Sequence, residues 1–212
     1  MKKNIYIIGS GNHAKVIFFE ILKINKFKIL GFIDDFKKKG ELIIKHKNKK
    51  YYNLGTINYL KKLNKPNSIV AIGNNLIRSK LVKKIDNKFE INWVSINSPN
   101  SIIASDVKIG KGSMILPGVV INNNSIIGDH CIINTSSSID HDNFFDNFSS
   151  TGPNVATGGN VKVGAFSHLG IGSSVKENIN IKKNTMIGGG SFINKNCLAN
   201  STYFGVPAKK IK

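Results

Sequence analysis

The sequence predicts two fold classes in one chain: an α/β domain over residues 1–98 and a β-solenoid over residues 99–212. Three observations carry this. An unbroken six-residue period runs from Ile103 to Leu198. The first hundred residues instead alternate β-branched runs with stretches of helical spacing. The charge is also divided unevenly: residues 1–100 hold 21 Lys+Arg against 6 acids, and residues 101–212 hold 10 against 6.

In the first half, "NIYIIG" is an apolar strand ending on Gly, and "HAKVIFFEILKI" places Ile17, Ile21 and Ile24 at helical spacing. "KILGFIDD" is a second strand closing on two acids, and "NSIVAIGNN" is a third. "YYNLGTINYLKKL" is partly helical. "LIRSKLVKKID" is a helix whose Ile77, Leu81 and Ile85 are expected on one face. Strand–helix alternation of this kind predicts a small, Rossmann-like parallel sheet. The lysine-rich "FKKKGELIIKHKNKKYYN" between these elements is an exposed loop or hairpin.

From Ile103 the chain divides into sixteen hexads without an insertion. The first position is apolar in fourteen and Thr in two (Thr151 and Thr157), so it is the core position. The fifth is small or β-branched almost throughout, and Gly or Asn crowds positions two to four. A 3.6-residue helix drifts out of phase with this period, whereas short strands separated by corners keep it. Three hexads make one 18-residue triangular coil, so the sixteen make about five coils. Coil ends expose unpaired strand edges, and "FGVPAKKIK" leaves the rhythm as a C-terminal cap over residues 199–212.

Composition excludes several classes. Hydrophobic residues make up 41% of the chain, so a folded core is expected. The net charge of +19 is carried by lysines mixed with Asn and Ile. Arg78 is the one arginine, and the planar fork suited to reading bases and phosphates is therefore nearly absent. No nucleic-acid partner is expected. No apolar run spans a bilayer, and no export signal follows the first strand. Two cysteines, Cys131 and Cys197, make no disulfide framework, so a cytoplasmic protein with reduced thiols is expected.

The reactive stretch is "INTSSSIDHDNF". With an 18-residue coil, His141 stacks under Gly159 in "TGGNVKVG". A residue without a side chain above a His leaves its backbone N–H open to a ligand. An imidazole that titrates near neutral pH and a neighbouring N–H donor are the two parts acyl transfer requires. Either Asp142 or Asp140 can orient the ring and stabilise its protonated form. The competing reading is a solvated turn. A metal set is not expected: His130, His141 and His168 occupy hexad positions four, three and six and do not stack. "GSGNHA", between a strand and a helix, has the G-x-G-x-x-A form of a dinucleotide site, but no hydride-transfer domain follows it. The turn can still seat a ligand on helix N-terminal amides.

The hexads in "[apolar]-G-x-x-[small]-x" form and the terminal "GVPAKKI" resemble the left-handed β-helix acyltransferases. From "IIGSGNHAKV" through "FIDD", "AIGNNLIR", "INTSSSIDHD" and "GNVKVG", the chain resembles the bacterial sugar acetyltransferases among them. That group includes the UDP-4-amino-sugar N-acetyltransferases and the sialic acid O-acetyltransferases. The resemblance implies a left-handed β-helix, a homotrimer, and acetyl-CoA as co-substrate with no metal. It selects His141 as the base, Asp142 as the acid that raises its basicity, and the Gly159 amide as carbonyl donor. It puts Gly11, Asn12 and His13 near a sugar-nucleotide diphosphate or sugar, Asp34 and Asp35 near the uracil or ribose, and Gly73 near the nucleotide. It places CoA between subunits, near Ile171 and Gly189, with Lys209 and Lys210 near its phosphates. A second His often found nine residues after the base is replaced here by Ser150, a departure that concerns the acetyl-CoA contact. The expected activity is N-acetylation of the 4-amino group of a UDP-linked amino-deoxy sugar. A sialic acid O-acetyltransferase and a non-catalytic sugar-nucleotide scaffold are the alternatives.

Overall fold

A computed structural model describes residues 1–212. The chain forms two compact units, Met1–Ile96 and Asn97–Lys212. No helix is long and apolar enough to cross a membrane.

The first unit contains β1 (Lys3–Ile8), α1 (Asn12–Ile24), β2 (Phe27–Ile33), β3 (Leu42–His46), β4 (Lys49–Tyr52), β5 (Asn67–Val70), α2 (Asn75–Asp86) and β6 (Asn92–Trp93). Four strands pair in parallel in the order β2-β1-β5-β6. The turns after β1, β2 and β5 therefore emerge at one edge of the sheet. α1 buries Ile17, Phe18 and Ile21, and the Phe18 ring lies 6.0 Å from Phe32 and 4.7 Å from Tyr51. The lysine-rich segment is the antiparallel hairpin β3–β4.

Of the three residues expected on one face of α2, only Ile85 is buried. Arg78, Val82 and Ile85 are buried, following the i, i+4, i+7 stripe. Ile77 is exposed at 55%, and with Leu81 it lines a cleft instead of the core. The buried stripe is headed by an arginine, which apolar spacing alone does not reveal.

In the second unit, short strands, mostly of two residues, stack in parallel into three sheets of eight, six and five strands, the eight-stranded one ending in an antiparallel pair. Each strand comprises the sixth and first positions of successive hexads and pairs 18 residues on, as in Ser138↔Ala156 and Ile139↔Thr157. First-position side chains from Ile115 to Ile193 fill the interior as one cluster with the apolar fifth positions. Several serines at position five use the hydroxyl to reach a carbonyl 15 residues on: Ser113 to Gly128 at 2.7 Å, Ser125 to Asp140 at 2.9 Å, Ser167 to Lys182 at 2.8 Å. These bonds satisfy carbonyls turned inward at each corner. Position four takes a left-handed φ in fourteen hexads, which is why Gly, Asn and Asp concentrate there. Thr202–Gly205 and Ala208–Lys210 form an antiparallel hairpin that closes the eight-stranded sheet.

Candidate active site

His141 and Asp142 occupy positions three and four of one corner. The left-handed φ of 58° at Asp142 turns its carboxylate back beside the ring, and His141 Nδ1 lies 2.6 Å from Asp142 Oδ2. Both side chains are about half exposed, at 52% and 48%. The Asp142 hydrogen bond raises the His141 pKa above its ordinary 6.5; partial desolvation opposes this, and the Asp140 and Asp142 charges add to it. With Nδ1–H donated to the carboxylate, the neutral ring presents Nε2 as acceptor. Asp140 has another task. Its Oδ1 accepts from the His141 backbone N–H at 2.8 Å and from Asn122 Nδ2 at 2.9 Å. Those bonds, the Asn122 contact first, hold the Asp140 carboxyl below its usual range.

Gly159 lies against the His141 ring one coil on. A Cβ there would stand 2.5 Å from His141 Cε1 and 2.6 Å from Nε2, so only glycine leaves room for the ring. The state of its N–H follows from the hexad pattern. In earlier hexads a position-two side chain caps the following position-three N–H: Asn134 caps Thr135 at 2.8 Å, Asp140 caps His141 at 2.8 Å and Asp146 caps Asn147 at 2.7 Å. Position two before Gly159 is Gly158, which has nothing to cap with, and the Gly159 N–H finds no protein acceptor. A proton acceptor and an uncommitted N–H thus share one corner.

Other expected site residues fall into separate groups. Ile171 is 60% exposed and covers Gly189, whose added Cβ would meet Ile171 Cγ2 at 3.0 Å. That corner is not the His141 corner, because 141 and 171 do not differ by a multiple of 18. Ser150 is buried and pairs with His168, its Oγ 2.8 Å from His168 Nδ1. Sequence reasoning missed this pair, although 18-residue stacking predicts it directly. Lys209 lines a cleft of about 370 Å³ at the C-terminal cap with Lys195, Tyr203 and Lys210. Cys197 lines it too, but burial pushes its thiol up to about 11 and leaves it unreactive at neutral pH. Cys131 is fully buried. No group of three or more His, Cys, Asp and Glu converges as a metal site.

In the first unit, a cleft of about 260 Å³ opens where β1, β2 and β5 end. It is lined by Gly9, Asp34, Asp35 and Phe36, with Ile77 and Lys80 from α2. Asp34 is largely committed to the fold: Oδ2 accepts from Ser10 N at 2.8 Å and Ser10 Oγ at 2.6 Å, and Oδ1 from Phe36 N at 2.8 Å. Asp35 accepts from Ile57 N at 2.8 Å and meets Lys84 at 3.3 Å. Gly11 caps α1 without a side-chain bond, so the N–H groups beside Asn12 and His13 stay open. Burial, then the charge of Arg78, lowers the His13 pKa to about 4, so its ring is neutral at pH 7. Arg78 is 0% exposed and donates to the carbonyls of Ile72 (2.9 Å) and Gly73 (3.0 Å) and to Asn75 Oδ1 (2.8 Å), shaping the turn that carries Gly73. Its structural role was not apparent from "LIRSK".

Comparison with known proteins agrees with both halves. Residues 4–85 match the PglD N-terminal domain family, and residues 100–135 match the bacterial transferase hexapeptide (six repeats) family. Perosamine N-acetyltransferase from Caulobacter crescentus, solved with CoA and GDP-perosamine, is 28% identical with a TM-score of 0.89; the match covers 99% of this chain and 97% of that one. The acetyltransferase domain of PglB from Neisseria gonorrhoeae FA1090, in complex with acetyl coenzyme A, is 25% identical with a TM-score of 0.89, and both chains are covered fully. Among curated relatives, the bifunctional protein GlmU of Listeria welshimeri is 41% identical over 54 residues, 26% of this chain but only 12% of that protein. The two matched families follow one another along a chain whose fold is shared from end to end with two solved acetyltransferases, so the chain is similar to the hexapeptide-repeat sugar acetyltransferases that carry a PglD-type N-terminal domain.

Proposed function

We propose that the protein is an acetyl-CoA-dependent N-acetyltransferase acting on the 4-amino group of a UDP-linked amino-deoxy sugar. The observation that carries this reading is the corner of His141, Asp142 and Gly159, where a base of raised pKa faces an uncommitted backbone N–H. His141 Nε2 takes a proton from the sugar amine as its nitrogen bonds to the thioester carbonyl carbon. Negative charge gathers on the carbonyl oxygen, where the Gly159 N–H donates to it, a contribution worth roughly 3–4 kcal/mol at comparable sites. The C–S bond then breaks, and the proton passes from His141 to the CoA thiolate, leaving an amide and a free thiol. Asp142 stabilises the imidazolium between these two transfers.

The open amides of Gly11, Asn12 and His13, the Gly73 turn, and the cleft beside Asp34 and Asp35 seat the nucleotide in this reading. Asp35 is the acid with the fewer internal partners, and it serves the base or ribose. The thioester arm uses the Ile171–Gly189 corner and Ser150, with Lys209 near the phosphates. That corner differs from the His141 corner, so in this reading a second copy of the chain brings the thioester arm to His141, within the homotrimer that the resemblance implies. A thiol-release assay with acetyl-CoA tests the reading. UDP-4-amino-4,6-dideoxy-GlcNAc is compared with GDP-perosamine and with free sialic acid, for wild type and His141→Ala. Turnover of the UDP-linked amine, lost by roughly 10²-fold or more on substitution, is expected. Turnover of GDP-perosamine alone would change the nucleotide, and turnover of sialic acid alone would change the acceptor to a hydroxyl. Full activity in His141→Ala would remove the base.

A further inference from the structure

Asn143 breaks the rule of the fifth position, where every other hexad carries a small or β-branched residue. It is 1% exposed. Its Nδ2 donates to three carbonyls: Asp140 at 2.8 Å, Gly158 at 2.9 Å and His141 at 3.1 Å. The amide orientation is settled by those partners, since an oxygen in place of Nδ2 would face three other oxygens. The bond to Gly158 is the 15-residue reach that serines make elsewhere in the solenoid. The other two are additional, and they hold the turn that bears His141. The arrangement has a cost, because Asn143 Oδ1 is buried without a partner. Serine would make the common bond without leaving such an orphan, so stability alone does not explain asparagine here.

Peptide planarity gives the reason. In a trans peptide the carbonyl and the next N–H point in opposite directions. Drawing the Gly158 carbonyl inward to Asn143 turns the Gly159 N–H outward, at the corner where the His141 ring lies against Gly159. Drawing the Asp140 carbonyl inward, with help from Ser125 Oγ at 2.9 Å, turns the His141 N–H outward onto its Asp140 cap. We infer that Asn143 is a positioning residue: one buried amide aims the Gly159 N–H and fixes the backbone of His141, so that base and carbonyl donor keep a common frame. This rests on the roles of His141 and Gly159 proposed above.

The test compares Asn143→Val and Asn143→Ser. Both residue types already occupy position five in other coils, as at Val155, Val161, Ser137 and Ser167, so either is compatible with the coil. kcat and both KM values are measured below each variant's thermal midpoint, with rates scaled to the folded fraction. Removing an oxyanion donor outright costs roughly 10²–10³-fold in kcat. Misaiming it in Asn143→Val should cost about 10–100-fold, with KM for acetyl-CoA and sugar nucleotide held within about threefold. Asn143→Ser, which keeps the bond to Gly158 but loses those to Asp140 and His141, should recover only part of kcat. A valine variant within about twofold of wild type overturns the inference. So does an equal loss in both variants, a loss that disappears on scaling, or one that resides in KM. If wild type turns over and His141→Ala does not, such a result removes the role of Asn143 alone. If His141→Ala retains full activity, the mechanism and this inference fall together.

Discussion

Phe145 and Phe32 are both fully buried, but their surroundings are specified in different ways. Phe145 lies between Ile127 and Val163, each 18 residues away, because every first-position side chain in the solenoid stacks on its equivalent in the next coil. Phe32 packs on Phe18 from α1 and pairs in register with Ile7 of β1, at separations that follow no period. Contacts in the solenoid can therefore be counted along the chain, whereas those in the first unit depend on how sheet and helices meet. The same difference separates the two candidate sites. The His141 corner follows from coil arithmetic, while the nucleotide cleft depends on where α2 turns its side chains.

The largest expected effect is Phe145→Ala. Emptying a first-position site should cost roughly 3–5 kcal/mol by urea unfolding, as for large aromatic truncations generally. If coil stacking is local, hydrogen exchange should accelerate mainly at strands 126–127, 144–145 and 162–163. Acceleration spread evenly over the solenoid would contradict nearest-neighbour stacking.

Next is Gly159→Ala. Its φ is not left-handed, so the backbone accepts alanine, and the Cβ instead meets the exposed His141 ring. We expect roughly a 10²-fold loss of activity with little change in thermal midpoint, because the ring can swing into solvent. A large fall in stability with intact rate per folded enzyme would make this corner structural.

A smaller effect distinguishes the first unit. His13 has a pKa of about 4 in the folded chain against 6.5 for the free side chain, so the unfolded state binds more protons between those values. The stability tied to its neutral form is complete above pH 6.5 and is lost as pH falls toward 4, roughly 3 kcal/mol in all. As pH falls across that range, wild type should lose stability relative to His13→Gln in urea unfolding. Parallel curves would show that His13 does not carry this dependence.

The smallest is a shift of pH profile in Asp142→Asn. The Asp142 bond is the main cause of the raised His141 pKa, and in the proposed mechanism the neutral ring is the active form. Removing the carboxylate should therefore move the acid limb of kcat/KM to lower pH while reducing the plateau. An unmoved limb would assign the titration to another group.

The sequence alone determined the parts that repeat. A strict hexad places core, corner and strand by counting, because each 18-residue coil repeats the backbone pairing of the last, so the stack of Gly159 on His141 was legible before any coordinates. Asn143 was visible as a break in the fifth position, and Ser150 with His168 as an 18-residue pair, yet neither announced its hydrogen bonds. Tertiary structure decided what has no period: that Arg78 heads the buried face of α2, that Ile77 and Leu81 line a cleft, and that Asp34 is drawn into the Ser10 turn. It also decided which acid serves His141. Asp140 and Asp142 flank the ring equally in sequence, but the left-handed backbone at Asp142 brings its carboxylate to Nδ1, while Asp140 is held by Asn122 and the backbone N–H of His141. Chain spacing sets which residues stack, but only the backbone dihedrals set where their polar atoms point.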